Sequence, residues 1–209
     1  MSAEKPSKRH TPKHLHPRQP AGVEGNARLT AAVGVIIFIL QAIEGVTILQ
    51  VGALLTPHVF IGVLVIPVVL LKIGTTTWRF AKYYLGDEEY RRKGAPPIIL
   101  RMLGPALIAL TIIVLGSGVG LVLLPKNFHD QMFFFHKVSF ILWFIAMTIH
   151  VLGHIVETAT LAPRDWVAHT RRDVARASTR QWVLVWGVAV GIPLAMLITS
   201  HTHYVVINN

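Results

Sequence analysis

His136 and His150 stand fourteen residues apart within one apolar run, MFFFHKVSFILWFIAMTIHVLGHI. In a helix that spacing falls about 40° short of four full turns and covers about 21 Å of rise, so both imidazoles point to nearly the same face, one in each half of a bilayer. Metal-ligating and ionisable side chains are costly at membrane depth and mark functional sites there. Neutral imidazole suits iron, and the group such a pattern can hold is a haem.

A haem iron with two axial imidazoles needs a second histidine at the same depth on another helix. Counted from the middle of its own apolar segment, His58 lies at the level of His136, within about 2 Å along the membrane normal. Two axial histidines give a six-coordinate centre that passes electrons and has no open position for oxygen. The sequence LGSGVG places Gly116, Gly118 and Gly120 near that level on a third segment, where missing side chains would let a flat porphyrin lie against the backbone. Gly116 and Gly120 could equally form a Gly-x-x-x-Gly helix contact.

The other half of the membrane is less regular. At the depth of His150 the second segment carries Lys72, so one segment reads His/Lys where the other reads His/His. A lysine binds iron only as the neutral amine. Otherwise Lys72 snorkels to the interface or pairs with a propionate, and His154, one turn beyond His150, is a rival ligand. Glu44 and Gln41 on the first segment could relay protons or bind a quinone head group, or could hydrogen-bond a neighbouring helix. Lys137 could neutralise a propionate or reach the outer surface. His129, His201 and His203 fall at the outer edge, where solvation is expected.

The elements that must position these groups follow from composition. Of 209 residues, 53% are hydrophobic and 14% charged, which excludes an ordinary soluble domain. Five segments are apolar enough to cross a bilayer, about 29–51, 57–78, 98–124, 131–156 and 181–200. The predicted fold is an all-α integral membrane protein: a four-helix haem-binding bundle of two hairpins, with a peripheral C-terminal helix. Residues 1–28, rich in Pro and basic residues, are expected to form a disordered cytoplasmic tail in which His10, His14 and His16 are solvated. Residues 201–209 are expected to form a short external tail. The first segment is too long, and its leader too unlike an n-region, for a signal peptide.

With no cysteine, disulfides, iron–sulfur clusters and covalent haem attachment are excluded, so any redox cofactor is held non-covalently. All Lys and Arg except Lys72, Lys126 and Lys137 fall in the N-terminal tail or the second and fourth connections. The net charge of +10 is therefore topological. It predicts N-terminus in and C-terminus out, with anionic lipid rather than nucleic acid as the contact. Trp78, Trp166, Trp182 and Trp186 suit an interfacial belt on the same side. Two function classes fit: an electron-transfer subunit, or a non-redox protein such as a small transporter or assembly anchor. Pro67, Pro105 and Pro193 occur singly, without the paired broken helices many transporters use.

The run HVFIGVLVIPVVLLKIGTTTWRFAKYYLGDEEYRRKG, then LGSGVG, then FHKVSFILWFIAMTIHVLGH, resembles bacterial membrane b-type cytochromes whose four-helix core binds haem b. The resemblance covers about residues 30–156. It implies a carrier in the bacterial cytoplasmic membrane, exchanging electrons between a quinone pool and a redox partner protein. By motif position it makes His58, His136 and His150 haem ligands. The departure is Lys72, where the two-haem pattern has histidine, so the resemblance implies one haem b and leaves the second open.

Overall fold

The computed structural model describes residues 21–95 and 97–202. The expectations for residues 1–20, including His10, His14 and His16, and for the tail with His203 fall outside them. In chain order the helices are α1 (Ala21–Ile48), α2 (Leu55–Tyr84), α3 (Glu88–Lys93), α4 (Ile98–Leu123), α5 (His129–Leu161), α6 (Ala168–Arg171) and α7 (Ala177–Thr199). Five of them, α1, α2, α4, α5 and α7, are long and apolar enough to cross a membrane. Leu70, Ile112, Phe134, Ile141, Leu152 and Leu197 are each more than half exposed. Apolar surface on that scale suits lipid as the surrounding solvent and makes this an all-α, multi-pass membrane fold.

The connections explain the order. Tight turns after α1 (Leu54 N–H to the Gln50 carbonyl) and after α4 (Pro125 leading into a 3-10 turn, Lys126–Phe128) fold α1–α2 and α4–α5 into antiparallel hairpins. The hairpins meet through α1 against α5 and α2 against α4, over less of their length than the two helices within a hairpin share. The prolines 67, 105 and 193 all lie inside continuous helices. On the opposite end Asp87 caps α3, accepting from the backbone N–H of Glu89 and Tyr90 and from Lys82 Nζ at 3.1 Å. Lys82, followed by those amides, holds the Asp87 carboxyl below its ordinary range.

The fifth long helix, α7, lies outside the four-helix bundle against α2, and it shares the best-buried apolar packing. Val33, Val68 and Leu184 form one cluster, and Val63, Leu64 and Ala195 another. Gly191 allows the approach: a Cβ there would stand 2.6 Å from the Leu64 carbonyl oxygen, a backbone atom that cannot rotate away. Gly191→Ala is expected to force α7 off α2 at a cost of about 1–3 kcal/mol, read as a lower unfolding temperature in detergent. Unchanged unfolding would mean that the two helices slide freely.

The residues expected to end an unstructured tail are different. Residues 21–28 are the first two turns of α1. Arg28, expected as a flanking surface charge, is 1% exposed. It donates to Glu24 Oε1 at 2.7 Å and to Asp165 Oδ1 at 3.2 Å, while Arg180 donates to the same Asp165 oxygen at 2.7 Å. Helix formation extends inward because Asp165, far along the chain, satisfies a charge that would otherwise need water. The four tryptophans of the expected belt are all more than half exposed at this basic end.

Candidate cofactor site

At the end opposite the basic loops, four helices deliver polar side chains to one level. His58 is on the first turn of α2 and His136 on the second turn of α5. Their ring centres are 6.3 Å apart with planes at 90°. An imidazole nitrogen lies about 1 Å from its ring centre and about 2 Å from a metal it binds. Two axial imidazoles on one ion therefore have centres about 6 Å apart, which is the spacing found.

The hydrogen bonds fix which nitrogen is available. Thr47 on α1 donates its hydroxyl to the Glu44 carbonyl at 2.6 Å, so toward His58 Nδ1, 3.0 Å away, it can only accept. Glu44 Oε1 lies 3.0 Å from the same nitrogen. His136 Nδ1 lies 2.9 Å from the Val114 carbonyl of α4, an acceptor only. This network assigns both rings the Nδ1–H tautomer. The Nε2 lone pair of each is left without a hydrogen-bond partner among the described residues. A ring oriented through Nδ1 to an oxygen, with Nε2 offered, is how histidine is held as a metal ligand.

Glycines make room for this. A Cβ on Gly118 of α4 would lie 3.1 Å from His136 Cε1, and one on Gly62 of α2 would lie 3.2 Å from Glu44 Oε1. Each polar side chain is seated against a bare turn of the neighbouring helix. The sequence pattern pointed to Gly116 and Gly120 as much as to Gly118. Gly116 is exposed with nothing within 4 Å of its added Cβ, and a Cβ on Gly120 would lie 2.9 Å from Met132 Sδ rather than near a histidine. The alternation of LGSGVG put three glycines near one depth, but only the helix rotation selects Gly118. A Gly116 helix contact is likewise not formed.

The basic half of the bundle is built differently. Lys72 donates Nζ to the Thr30 carbonyl of α1 at 2.7 Å, in a notch left by Gly34. His150 Nδ1 is buried and has no hydrogen-bond partner among the described residues, so the acceptor that orients both outer histidines is missing here. His154 packs ring to ring with His150 at 4.7 Å and places Nδ1 3.6 Å from Glu157 Oε2. Among the described residues no cluster of three or more His, Cys, Asp or Glu could hold a metal ion.

Other sequence candidates fall away from these clusters. Gln41 makes no side-chain hydrogen bond among the described residues, whereas Glu44, three residues on, reaches His58. Lys137 is exposed with Nζ 5.0 Å from the Phe133 ring centre. His201 is exposed, with Nδ1 bonded to its own helix at the Leu197 carbonyl. Thr47, Val114 and Ser117 were not singled out as ligand supports, and Trp143 on the His136 face was missed. A seven-residue repeat running from His129 through His136, Trp143 and His150 to Glu157 was the available signal. No known protein family, curated protein or solved structure matches the chain.

Proposed function

We propose that this chain is a membrane b-type cytochrome that carries electrons between a quinone pool and a redox partner protein through one haem b held by His58 and His136. The observation that carries the reading is the pair of Nδ1–H imidazoles, on helices of different hairpins, with centres 6.3 Å apart and both Nε2 atoms unspent. The residues present fit the group. A haem bound there would be held by His58 and His136 and would supply one-electron transfer.

The chain's own residues do the rest. Thr47 and Glu44 hold His58 in orientation, and the acceptors raise the basicity of the ring toward a metal. The Val114 carbonyl does the same for His136, and Gly118 fixes where that ring lies. Trp143, buried one register step below, keeps water from reaching the histidines along the bundle axis. The cluster lies at the end of the membrane span away from the basic loops. With the positive-inside rule applied, that end faces out of a bacterial cytoplasmic membrane, with the N-terminus of α1 inside. His150 and Lys72 lack the orienting pattern, so the reading holds a single haem.

The test is the absorption spectrum of the purified full-length protein. A reducible low-spin spectrum at one haem per chain, reduced by a quinol analogue in membranes, is the expected result. Purified folded protein without haem would overturn the reading, and two haems per chain would return His150 and Lys72 to the ligand set.

A further inference from the structure

Counted in sevens, α2 and α5 run through four matching levels, His58 and His136, Val65 and Trp143, Lys72 and His150, and Arg79 and Glu157, and at the first of them the two rings stand 6.3 Å apart. Three levels are polar and one is not. Val65 is 1% exposed and Trp143 6%, and the indole Nε1 donates to Thr111 Oγ1 of α4 at 2.9 Å, which fixes the ring across the bundle. One step is about 10 Å along a helix. This apolar level therefore separates the histidine pair from everything polar beneath it.

Beneath it lies a file of proton-exchanging groups. Glu157, at the basic end, is 44% exposed; one oxygen is 3.5 Å from Lys93 Nζ and the other 3.6 Å from His154 Nδ1. The His154 and His150 ring centres are 4.7 Å apart. The file ends at His150 Nδ1, buried without a hydrogen-bond partner among the described residues, one seven-residue step below Trp143. An unpartnered buried polar atom costs free energy and is retained where it is used.

We propose that this file is a proton-conducting half-channel, opening at the basic end through Glu157 and ending at His150, and that Trp143 is the barrier that closes it. The Glu157 carboxylate binds a proton from the aqueous side and passes it to His154. An imidazole that takes a proton at one nitrogen can release one from the other, so His154 returns to neutral as its other tautomer while an N–H bond forms at His150, which holds the proton as imidazolium. The charged groups around the file are Lys72 and Arg79 from α2, Lys93 at the end of α3, and Arg101 from α4, whose guanidinium lies over Tyr84; α1 contributes the Thr30 carbonyl that fixes Lys72 and the Glu24 carboxylate that acts on Lys93. Without the indole, the same groups would continue past Thr111 to Ser117, His136 and Glu44, and the membrane would be short-circuited. The inference goes beyond electron transfer and does not depend on it.

The experiment reconstitutes full-length protein into liposomes holding a pH-sensitive dye and follows internal acidification under an imposed potassium diffusion potential. Wild-type vesicles are expected to stay tight and Trp143→Ala vesicles to acidify several-fold faster. Adding His150→Phe to Trp143→Ala is expected to return the rate to the wild-type value, and Trp143→Phe, which keeps the bulk, is expected to remain tight. Where alanine does not yield folded protein, Trp143→Leu removes the indole while keeping the level apolar. A folded Trp143→Ala or Trp143→Leu variant as tight as wild type overturns the proposal. So does a leak that persists undiminished with His150→Phe, because the indole then only holds the packing together. Haem content of the same samples reports on the cytochrome reading separately.

Discussion

Replacing either His136 or His58 by alanine is expected to abolish the low-spin haem spectrum of the purified protein, while circular dichroism shows the helices intact. Each ring is the sole imidazole its hairpin brings to the cluster, and no other described side chain with a metal-binding nitrogen stands at that level. His150 is two register steps from His136, across the apolar Trp143 level, and His154 lies one turn further. The supporting groups should act in proportion to what they touch. Thr47→Val removes an acceptor from His58 Nδ1 and is expected to weaken haem retention by about 10–100-fold. Gly118→Ala places a Cβ 3.1 Å from the His136 ring, so the ring must shift and the spectrum and potential with it. Gly116→Ala meets nothing within 4 Å and should leave both unchanged. If Gly116→Ala disturbs the spectrum and Gly118→Ala does not, α4 presents its other face to the cofactor.

Asp165→Ala is expected to cost about 3–5 kcal/mol of stability, measured as thermal unfolding in detergent. Asp165 is 5% exposed and accepts from Arg28 and from both donor arms of Arg180, while its backbone carbonyl accepts from Gln181. Removing the carboxylate leaves two guanidinium groups buried together with Glu24 alone to balance Arg28. The loss arises from that uncompensated charge more than from the missing bonds. Because the cluster joins the start of α1 to the α5–α7 connection, its failure would also free α7 from the bundle. Arg92, whose 3.5 Å pair with Glu88 is exposed on both sides, is the control: Arg92→Ala should change stability little. Equal effects from the two variants would mean that water reaches Asp165.

Much of this architecture was legible in the sequence because depth in a membrane is a one-dimensional quantity. A fixed rise per residue and a count of apolar residues place five spans, pair them as hairpins through short turns, and set His58 level with His136 and Lys72 level with His150. Those levels hold in three dimensions. Rotation about each helix axis does not follow from a count. It is set by which side chains interlock between helices, and so Gly118 rather than Gly116 meets His136. Glu44 leaves its expected place beside Gln41 to support His58, and Lys72 turns to a carbonyl of α1. Partners distant in the chain were equally hidden. Arg28 read as one more surface cation because nothing near it announces Asp165, 137 residues away. The sequence by itself determined that imidazoles lie at one depth in an apolar bundle. Only the tertiary structure decided which of their nitrogens are spent and which remain, because that depends on oxygens carried in by other helices.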